Sequence, residues 1–405
     1  MKVQDFATFK LSDYNISDDY GFILQEPLDT LPSYYEPWMN IADNLTALIE
    51  TKRLREKVQR MPELGIQHLK DYKEKVLARV LLSHIVMGYV WQDADQGVVK
   101  VLPRTLAIPY CHLSKILGLP LIMVHADFVL ANWKRKDALG PLTMENLSTI
   151  VSLPGGNSLQ GFVLVTLLVE VAAIPGIKAV VQAIKALLTE DRPTLLQALR
   201  NMAQSIQNMG EALQLMYDYV DSDIYYNTIR IFLSGWKDNP SMPNGLLYEG
   251  AVDEPLCFSG GSAAQSTVFH VYDELFGINH QPESFDFLLK MRQYMPPAHS
   301  SFIDWVKGVP KLSVYVQQSA DLDLLSAFNM CVSTLTDVRS LHIRIVSKYV
   351  TTAGARARVK GLAAGSGAQH LQERGTGGSL AMTFLKSVRD TCKGGLLKKS
   401  TAADC

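Results

Sequence analysis

The chain has 405 residues, with 39 basic and 40 acidic side chains, and its formal net charge at pH 7 is −1. This balanced charge, without a long basic run interleaved with aromatic residues, argues against a nucleic-acid partner. The length exceeds what one ordinary hydrophobic core organises, so we expect two domains.

The cysteine pattern excludes several kinds of site. The five cysteines are far apart and form no CxxC pair; they are Cys111, Cys257, Cys331, Cys392 and Cys405. A disulfide framework, a zinc site and a covalently attached c-type haem all lack their usual spacing, so reduced thiols in the cytoplasm are expected. The N-terminal sequence MKVQDFATFKLSDYN has no basic region followed by an apolar one, which argues against a signal peptide.

The first part of the chain is predicted to mix helices with short extended pieces. The helices predicted from apolar residues at helical spacing cover 38–61, 66–91 and 121–134. Between the second and third of these, 92–110 holds alternating and proline-marked pieces that form either a small sheet or an extended arm. The breaker cluster SLPGGNS, at 152–158, marks a boundary between a small domain, 1–152, and a large domain, 153–405.

The large domain is predicted to be almost wholly helical. Its predicted helices cover 162–174, 177–188, 193–220, 223–233, 264–275, 282–293, 300–308, 320–333, 337–350 and 380–397. The connecting segment, 234–262, is irregular and long enough that it must wrap the surface or line a site. The segment 351–379 is rich in Gly, Ala and Arg, so we expect it to be mobile. The predicted fold class is all-α.

The most apolar run, 162–181, raises the question of a membrane span. Glu170, Pro175 and Lys178 interrupt it well before the length that a bilayer requires. The run therefore predicts a pair of buried helices.

His342 lies in the stretch DVRSLHIRIVSKYV, at 337–350, within an apolar helix face. The apolar residues of that face are Val338, Leu341, Ile345 and Tyr349. Such a histidine is either a core residue bonded to a backbone carbonyl or an axial ligand of haem iron. In the second case Arg339, one turn earlier, would reach a haem propionate. Spacing alone does not choose between these alternatives.

Several ordered stretches carry a family resemblance. They are LPRTLAIPYCHLSK (102–115), YYNTIRIFLSGWKDNP (225–240), SGGSAAQS (259–266), MPPAH (295–299), DVRSLHIRIVSKYV (337–350) and ERGTGGS (373–379). Together they resemble the indoleamine 2,3-dioxygenase family. The resemblance implies a monomeric, two-domain helical haem dioxygenase, in which a small N-terminal domain covers a large helical domain and haem lies at their junction.

The family resemblance also implies the cofactor and the reaction. His342 would be the proximal iron ligand of a non-covalent haem b, and Arg339 would pair with Asp273 at the haem edge. Ser262 and Ala263 would let the backbone pass close to the porphyrin. The implied reaction inserts O2 across the indole C2–C3 bond of L-tryptophan and gives N-formylkynurenine, the first step of the kynurenine pathway. It needs ferrous iron, a cellular reductant and no acid or base from the protein.

For the substrate, the resemblance implies that Arg230 holds the amino-acid carboxylate through two parallel hydrogen bonds. The other implied contacts to tryptophan or related indoleamines come from Tyr225, Tyr226, Phe162, Val163, Thr166, His125 and Phe128. Thr376, in the GTGG stretch of the lid 351–379, would bond the amino acid as the lid closes. His125 and Phe128 replace the Tyr and Cys of the better-known paralog. They indicate a second-paralog or early-branching member with weak apparent substrate affinity.

A second hypothesis assigns a signalling role. IPYCHL, at 108–113, fits an inhibitory tyrosine motif, in which phosphorylated Tyr110 would dock an SH2 domain. The chain would then be a haem-bound scaffold with low turnover. A third hypothesis is a helical structural protein without a cofactor.

Overall fold

The computed structural model describes residues 9–359 and 381–398, which are mostly helical. The α-helices of the described residues are α1 (Glu36–Asp43), α2 (Leu45–Glu50), α3 (Leu54–Gln59), α4 (Tyr72–Trp91), α5 (Arg104–Leu117), α6 (Gly156–Leu188), α7 (Arg192–Gln214), α8 (Met216–Tyr219), α9 (Ser222–Ile224), α10 (Thr267–Phe276), α11 (Pro282–Arg292), α12 (Pro297–Lys307), α13 (Leu312–Gln318), α14 (Leu322–Val346), α15 (Ala353–Val359) and α16 (Ala381–Gly394). The predicted all-α fold class is confirmed.

Strands are few and short. They are β1 (Val101–Leu102), β2 (Lys134–Arg135), β3 (Leu147–Ser148) and β4 (Leu247–Tyr248). The first pairs in parallel with β4, with Val101 opposite Leu247. The second pairs antiparallel with β3, with Lys134 opposite Ser148. These pairs join neighbouring segments and do not build a sheet core.

Local sequence signals explain where the long helices begin. Asp191 precedes α7 and accepts a hydrogen bond from the backbone N of Thr194 at 3.2 Å. Asp321 does the same for α14, where it accepts from the backbone N of Asp323 at 2.9 Å. A carboxylate at this position satisfies backbone N–H groups that have no partner within the helix.

Helix α6 is one continuous helix, so the predicted break at Pro175 is wrong. Proline has no N–H and its ring pushes the preceding turn outward, which opens the helix locally. The hydroxyl of Ser205, on α7, fills this opening. It donates to the carbonyl of Ala172 at 2.7 Å and accepts from the backbone N of Gly176 at 3.0 Å. The helix can therefore continue because another helix supplies the missing hydrogen bonds.

The length and apolar composition of α6 would also allow it to cross a membrane. In its most apolar 18-residue window, however, 61% of the residues are buried inside the protein. This burial, mainly against α7, is typical of a core helix.

Other predictions of local structure are wrong in part. The predicted helix over 38–61 is three short helices, α1 to α3. The predicted extended piece ends at β1, because α5 begins at Arg104 and accommodates Pro109 in its interior. In the predicted helix 121–134, only Ala126–Leu130 forms a helical turn, of π type.

The predicted mobile segment begins as helix. A π-helical turn, Ser347–Thr352, leads from α14 directly into α15. The separate helices predicted at 320–333 and 337–350 are also joined, since α14 runs without a break from Leu322 to Val346. Leu335, Thr336 and Ala353 are buried, so packing against neighbouring elements continues the helix across both predicted gaps.

Buried apolar residues form two large clusters. The first contains most of the buried residues before residue 168, together with Ile229 to Tyr248. The second contains the later part of α6, α7, α10 and α12 to α14. The first cluster includes Leu167 and the second begins on α6 with Val169, so α6 belongs to both. The division at 152/153 remains a prediction.

Candidate active site

A large cavity lies between α6, α14, α16 and the segments that precede α6 and α10. It encloses about 2000 Å³ of space free of protein atoms, part of which opens to solvent. Most of the residues that the sequence singled out line it together: His125, Phe128, Phe162, Thr166, Tyr225, Arg230, Ser262, Ala263, Asp273, Arg339 and His342. The fold thus brings residues from five distant stretches of the chain to one place.

Two predicted site residues lie away from the cavity wall, and the prediction for a third falls outside the described residues. Val163 is buried in the first apolar cluster and is not part of the cavity wall. Tyr226 is also absent from the wall and packs against α15. Thr376, with the rest of the GTGG stretch, lies outside the described residues.

His342 lies on α14 with its side chain at the cavity wall. No hydrogen bond to its ring is found among the residues that the structure describes, although the ring is only partly exposed. Burial lowers the pKa of His342 to about 4. The imidazole is therefore neutral at pH 7 and keeps a nitrogen lone pair available to a ligand.

His270, which also lines the cavity, has different contacts. Its Nε2 donates to the carbonyl of Ala264 at 2.8 Å, and its Nδ1 accepts from Nε of Arg292 at 3.3 Å. Both ring nitrogens are used within the protein, so His270 has the contacts of a structural histidine.

Arg339, one turn before His342, is held by a buried carboxylate. Its Nη2 lies 2.8 Å from both oxygens of Asp273, and His280 Nε2 lies 2.8 Å from Oδ2 of the same carboxylate. Burial alone would raise the pKa of Asp273, but the charges and hydrogen bonds of Arg339 and His280 outweigh it and hold the pKa at about 2. The other terminal nitrogen of Arg339, Nη1, is buried without a hydrogen-bond partner among the described residues.

These observations fit a haem group. The described residues contain no cluster of three or more His, Cys, Asp or Glu side chains that could hold a metal ion by themselves. A neutral imidazole open to a large, mostly apolar cavity suits an iron whose other ligands come from a porphyrin. The unpartnered Nη1 of Arg339 suits the carboxylate of a propionate.

Arg230 contributes a buried positive charge to the cavity. It begins a 3₁₀ turn, Arg230–Leu233, and only 3% of its surface is exposed. Burial lowers the pKa of Arg230 from its usual value, but a guanidinium stays protonated in proteins. Its carbon Cζ lies 5.5 Å from the ring centre of Tyr226. A fixed cation in an apolar pocket provides a site for an anionic group of a ligand.

Aromatic rings form the wall beside Arg230. The ring centres of Phe162 and Tyr225 are 5.1 Å apart, and those of Phe128 and Phe162 are 6.1 Å apart. Thr166 stands one turn after Phe162 on α6, and its hydroxyl donates to the carbonyl of Phe162 at 2.7 Å. The hydroxyl proton of Thr166 is therefore used within the helix, and the aromatic rings leave the wall beside it mostly apolar.

The connecting segment closes one side of the cavity, as its length suggested. Its backbone crosses next to Gly235, where an added Cβ would lie 2.3 Å from the backbone N of Gly260. A side chain would not fit there, so this crossing requires glycine. Gly261, Ser262 and Ala263 then line the cavity.

Gln265 anchors the connecting segment, a role that no sequence motif predicted. Its Oε1 accepts from the backbone N of His125 at 3.0 Å, and its Nε2 donates to the carbonyl of Gly260 at 2.9 Å. It thereby ties the connecting segment to the wall that carries His125. Gln265 belongs to SGGSAAQS, but its partner is 140 residues away and no local pattern indicates the contact.

Glu170 is a residue of the cavity wall whose place there was not predicted from the sequence. Its Oε1 lies 2.9 Å from Nε2 of His125 and accepts from the hydroxyl of Ser266 at 2.7 Å. The other oxygen, Oε2, is buried without a hydrogen-bond partner among the described residues. An acidic residue within the apolar run FVLVTLLVEVAAI was the available signal, because a buried carboxylate needs partners.

Comparisons with known proteins confirm the resemblance. A sequence model of the indoleamine 2,3-dioxygenase family matches residues 10–394. Indoleamine 2,3-dioxygenase 2 of Mus musculus is 51% identical over 387 residues, which cover 96% of this chain and 95% of that protein. Indoleamine 2,3-dioxygenase 1 of Rattus norvegicus is 44% identical over 390 residues, or 96% of both chains. A myoglobin of Haliotis madaka is 35% identical over 387 residues, which cover 95% of this chain and 98% of that protein. This chain therefore belongs to the indoleamine 2,3-dioxygenase family of haem enzymes.

Proposed function

We propose that this protein opens the indole ring of L-tryptophan with O2 and produces N-formylkynurenine, the first step of the kynurenine pathway. The observation that carries the proposal is that one aromatic-walled cavity contains a buried Arg230 and a neutral His342 whose ring has no hydrogen bond to the described residues. The family to which the chain belongs supports the same reaction.

The haem would be a non-covalent haem b. His342 would hold it from α14, and Arg339, fixed by Asp273, would bind a propionate through Nη1. Ser262 and Ala263, with short side chains, would leave room for the porphyrin beside the connecting segment. When bound in the ferrous state, which a cellular reductant must maintain, the haem supplies the oxygen chemistry.

The protein's own part is to bind and orient the substrate. Arg230 would hold the carboxylate through two parallel hydrogen bonds, which fixes the amino acid in one orientation. Phe162 and Tyr225 would then contact the indole ring and exclude water. Thr166 would accept a hydrogen bond but not donate one, because its proton is bound to the carbonyl of Phe162.

We also propose weak apparent affinity for L-tryptophan. His125 lines the cavity with its ring bonded to Glu170, where the better-known paralog has a tyrosine, and Phe128 is larger than the cysteine of that paralog. A KM for L-tryptophan in the low micromolar range would contradict this part of the proposal.

The signalling alternative finds no support in the position of Tyr110. This residue is 0% exposed in the first apolar cluster, with Cζ of Arg79 5.1 Å from its ring centre. A kinase would reach Tyr110 only after α5 had left the core. We therefore propose catalysis as the function. We also propose that the protein works as a monomer in the cytoplasm.

The test combines a visible spectrum with a turnover assay. Purified protein reconstituted with haem should give a Soret band and, with a reductant, L-tryptophan and O2, should form N-formylkynurenine. His342→Ala should lose both the haem and the activity, whereas His112→Ala, at an exposed position on α5, should keep both. Haem binding and product formation that survive His342→Ala would overturn the proposal, as would a protein that binds O2 reversibly without oxidising tryptophan.

A further inference from the structure

Helix α15, the first part of the segment predicted to be a lid, packs against the side chain of Tyr226. Ala353 and Ala357 pack around this ring. A Cβ added at Gly354 would lie 2.9 Å from Cζ and Oη of Tyr226. The helix can approach so closely only because the residues that face the ring are small.

Hydrogen bonds from Arg356 hold α15 in this position. Nη2 of Arg356 lies 2.6 Å from Oδ1 of Asp223 and donates to the hydroxyl of Ser222 at 2.8 Å, while Nε lies 3.1 Å from the same Asp223 oxygen. Asp223 and Ser222 form α9, immediately before the turn that carries Tyr225 and Tyr226. One side chain of α15 is therefore bonded to the start of the segment on which Arg230 lies.

Tyr226 lies between α15 and Arg230. Its ring centre is 5.5 Å from Cζ of Arg230, and only 8% of its surface is exposed. Because the ring is absent from the cavity wall, it does not contact a ligand in the cavity directly. A displacement of α15 would move the Tyr226 ring and, with it, the guanidinium.

We propose that α15 positions Arg230 through Tyr226, with Arg356 as the residue that holds the helix in place. The proposal rests on the proposed role of Arg230 as the site of the substrate carboxylate. Helix α15 would then contribute to substrate specificity, since the position of Arg230 affects only the binding of ligands that carry a carboxylate. Arg356 and Gly354 are positioning residues and do not contact the substrate.

The kinetic experiment compares two variants with two matched controls. Arg356→Gln breaks the link to Asp223, and Arg358→Gln removes the same charge from an exposed position of the same helix. Gly354→Ala places a methyl group against the ring of Tyr226, and Gly394→Ala adds the same group where Gly394 has no side-chain neighbour within 4 Å among the described residues. Arg356→Gln should raise the KM for L-tryptophan about twofold to fivefold, and Gly354→Ala should raise it roughly tenfold. Neither variant should change kcat for L-tryptophan or the KM for tryptamine, which lacks the carboxylate. The two control variants should have the same kinetic constants as the unmodified protein. Equal increases in KM for both ligands would overturn the proposal.

Hydrogen exchange of the haem-free and haem-bound proteins tests the coupling without any activity. Arg356→Gln and Gly354→Ala should both accelerate exchange of the amides at 225–233, whereas the two controls should not. Unchanged exchange at 225–233, with altered exchange at 353–359, would overturn the proposal. If the unmodified protein does not oxidise L-tryptophan, the proposed function fails, but this exchange experiment still decides whether α15 positions Arg230.

Discussion

Arg79 and Asp127 form a salt bridge that is buried almost completely, with side-chain exposures of 1% and 3%. Nε and Nη2 of Arg79 bind the two carboxylate oxygens at 2.9 and 3.0 Å, and Nη2 also donates to the carbonyls of Pro120 and Ile122. The pair therefore fixes the segment that carries His125 and Phe128 into the cavity wall.

Removal of one partner should be costly. Arg79→Met leaves the Asp127 carboxylate buried without its cation, so we expect a loss of about 3–5 kcal/mol in the free energy of unfolding, measured in urea. The double variant Arg79→Met with Asp127→Leu should recover part of this loss, because no unpaired charge remains. Arg60→Met, at an exposed ion pair, serves as the control. A single variant as stable as the unmodified protein would contradict the role assigned to this pair.

The contribution of Ser205 to the free energy of unfolding should depend on the presence of Pro175. Ser205→Ala leaves the carbonyl of Ala172 and the N–H of Gly176 without partners in the core, which should cost about 2–3 kcal/mol. In a Pro175→Ala background the helix can form its own hydrogen bond at this point, so the same change should cost less than about 1 kcal/mol. A double-mutant cycle from chemical denaturation measures the difference. Equal costs in both backgrounds would show that Ser205 does not compensate for the proline.

Arg230 and Thr166 should differ sharply in their effect on substrate binding. Arg230→Gln removes a charged hydrogen-bond donor, so the KM for L-tryptophan should rise about tenfold to a hundredfold. Thr166→Val should change it by less than about threefold, because the lost hydroxyl donates to Phe162 and not to the ligand. Steady-state kinetics of the two variants provide the comparison. A larger effect from Thr166→Val would contradict the hydrogen bonding described for the wall.

Stability should fall as the pH is lowered from 7 to 5. Burial lowers the pKa values of His84, His270 and His299 to about 4. The unfolded chain takes up these protons near pH 6.5 and the folded chain only near pH 4, so acid favours unfolding between these values. Each histidine should cost about 2 kcal/mol at pH 5 and nothing above pH 7. Urea titrations at pH 5 and 7 measure the change, and equal stability at both would contradict the prediction.

Apolar spacing and family motifs pointed to many of the residues that line the cavity, because both are local properties of the sequence. The stripe of α14 indicated which face of the helix carries His342, and NTIRIFLSGW indicated Arg230. Tyr226 was expected at the cavity with Tyr225, but only Tyr225 lies in the cavity wall. Successive residues of a helical turn point in different directions, roughly 100° apart in an α-helix, so two adjacent rings do not share one face.

Contacts between distant segments could not be predicted in this way. Ser205 repairs a helix break 30 residues earlier, and Gln265 binds backbone near His125. These side chains are ordinary polar residues in their local sequence. Their importance depends on backbone groups that only the folded chain brings close to them.

The uninterrupted course of α6 has a mechanical consequence. A single 33-residue helix belongs to both apolar clusters. The two clusters are therefore joined by continuous helix and cannot move apart about a hinge within it. Exchange of a bound amino acid would then depend on displacement of short segments of the cavity wall, such as 225–233, and not on separation of the two clusters.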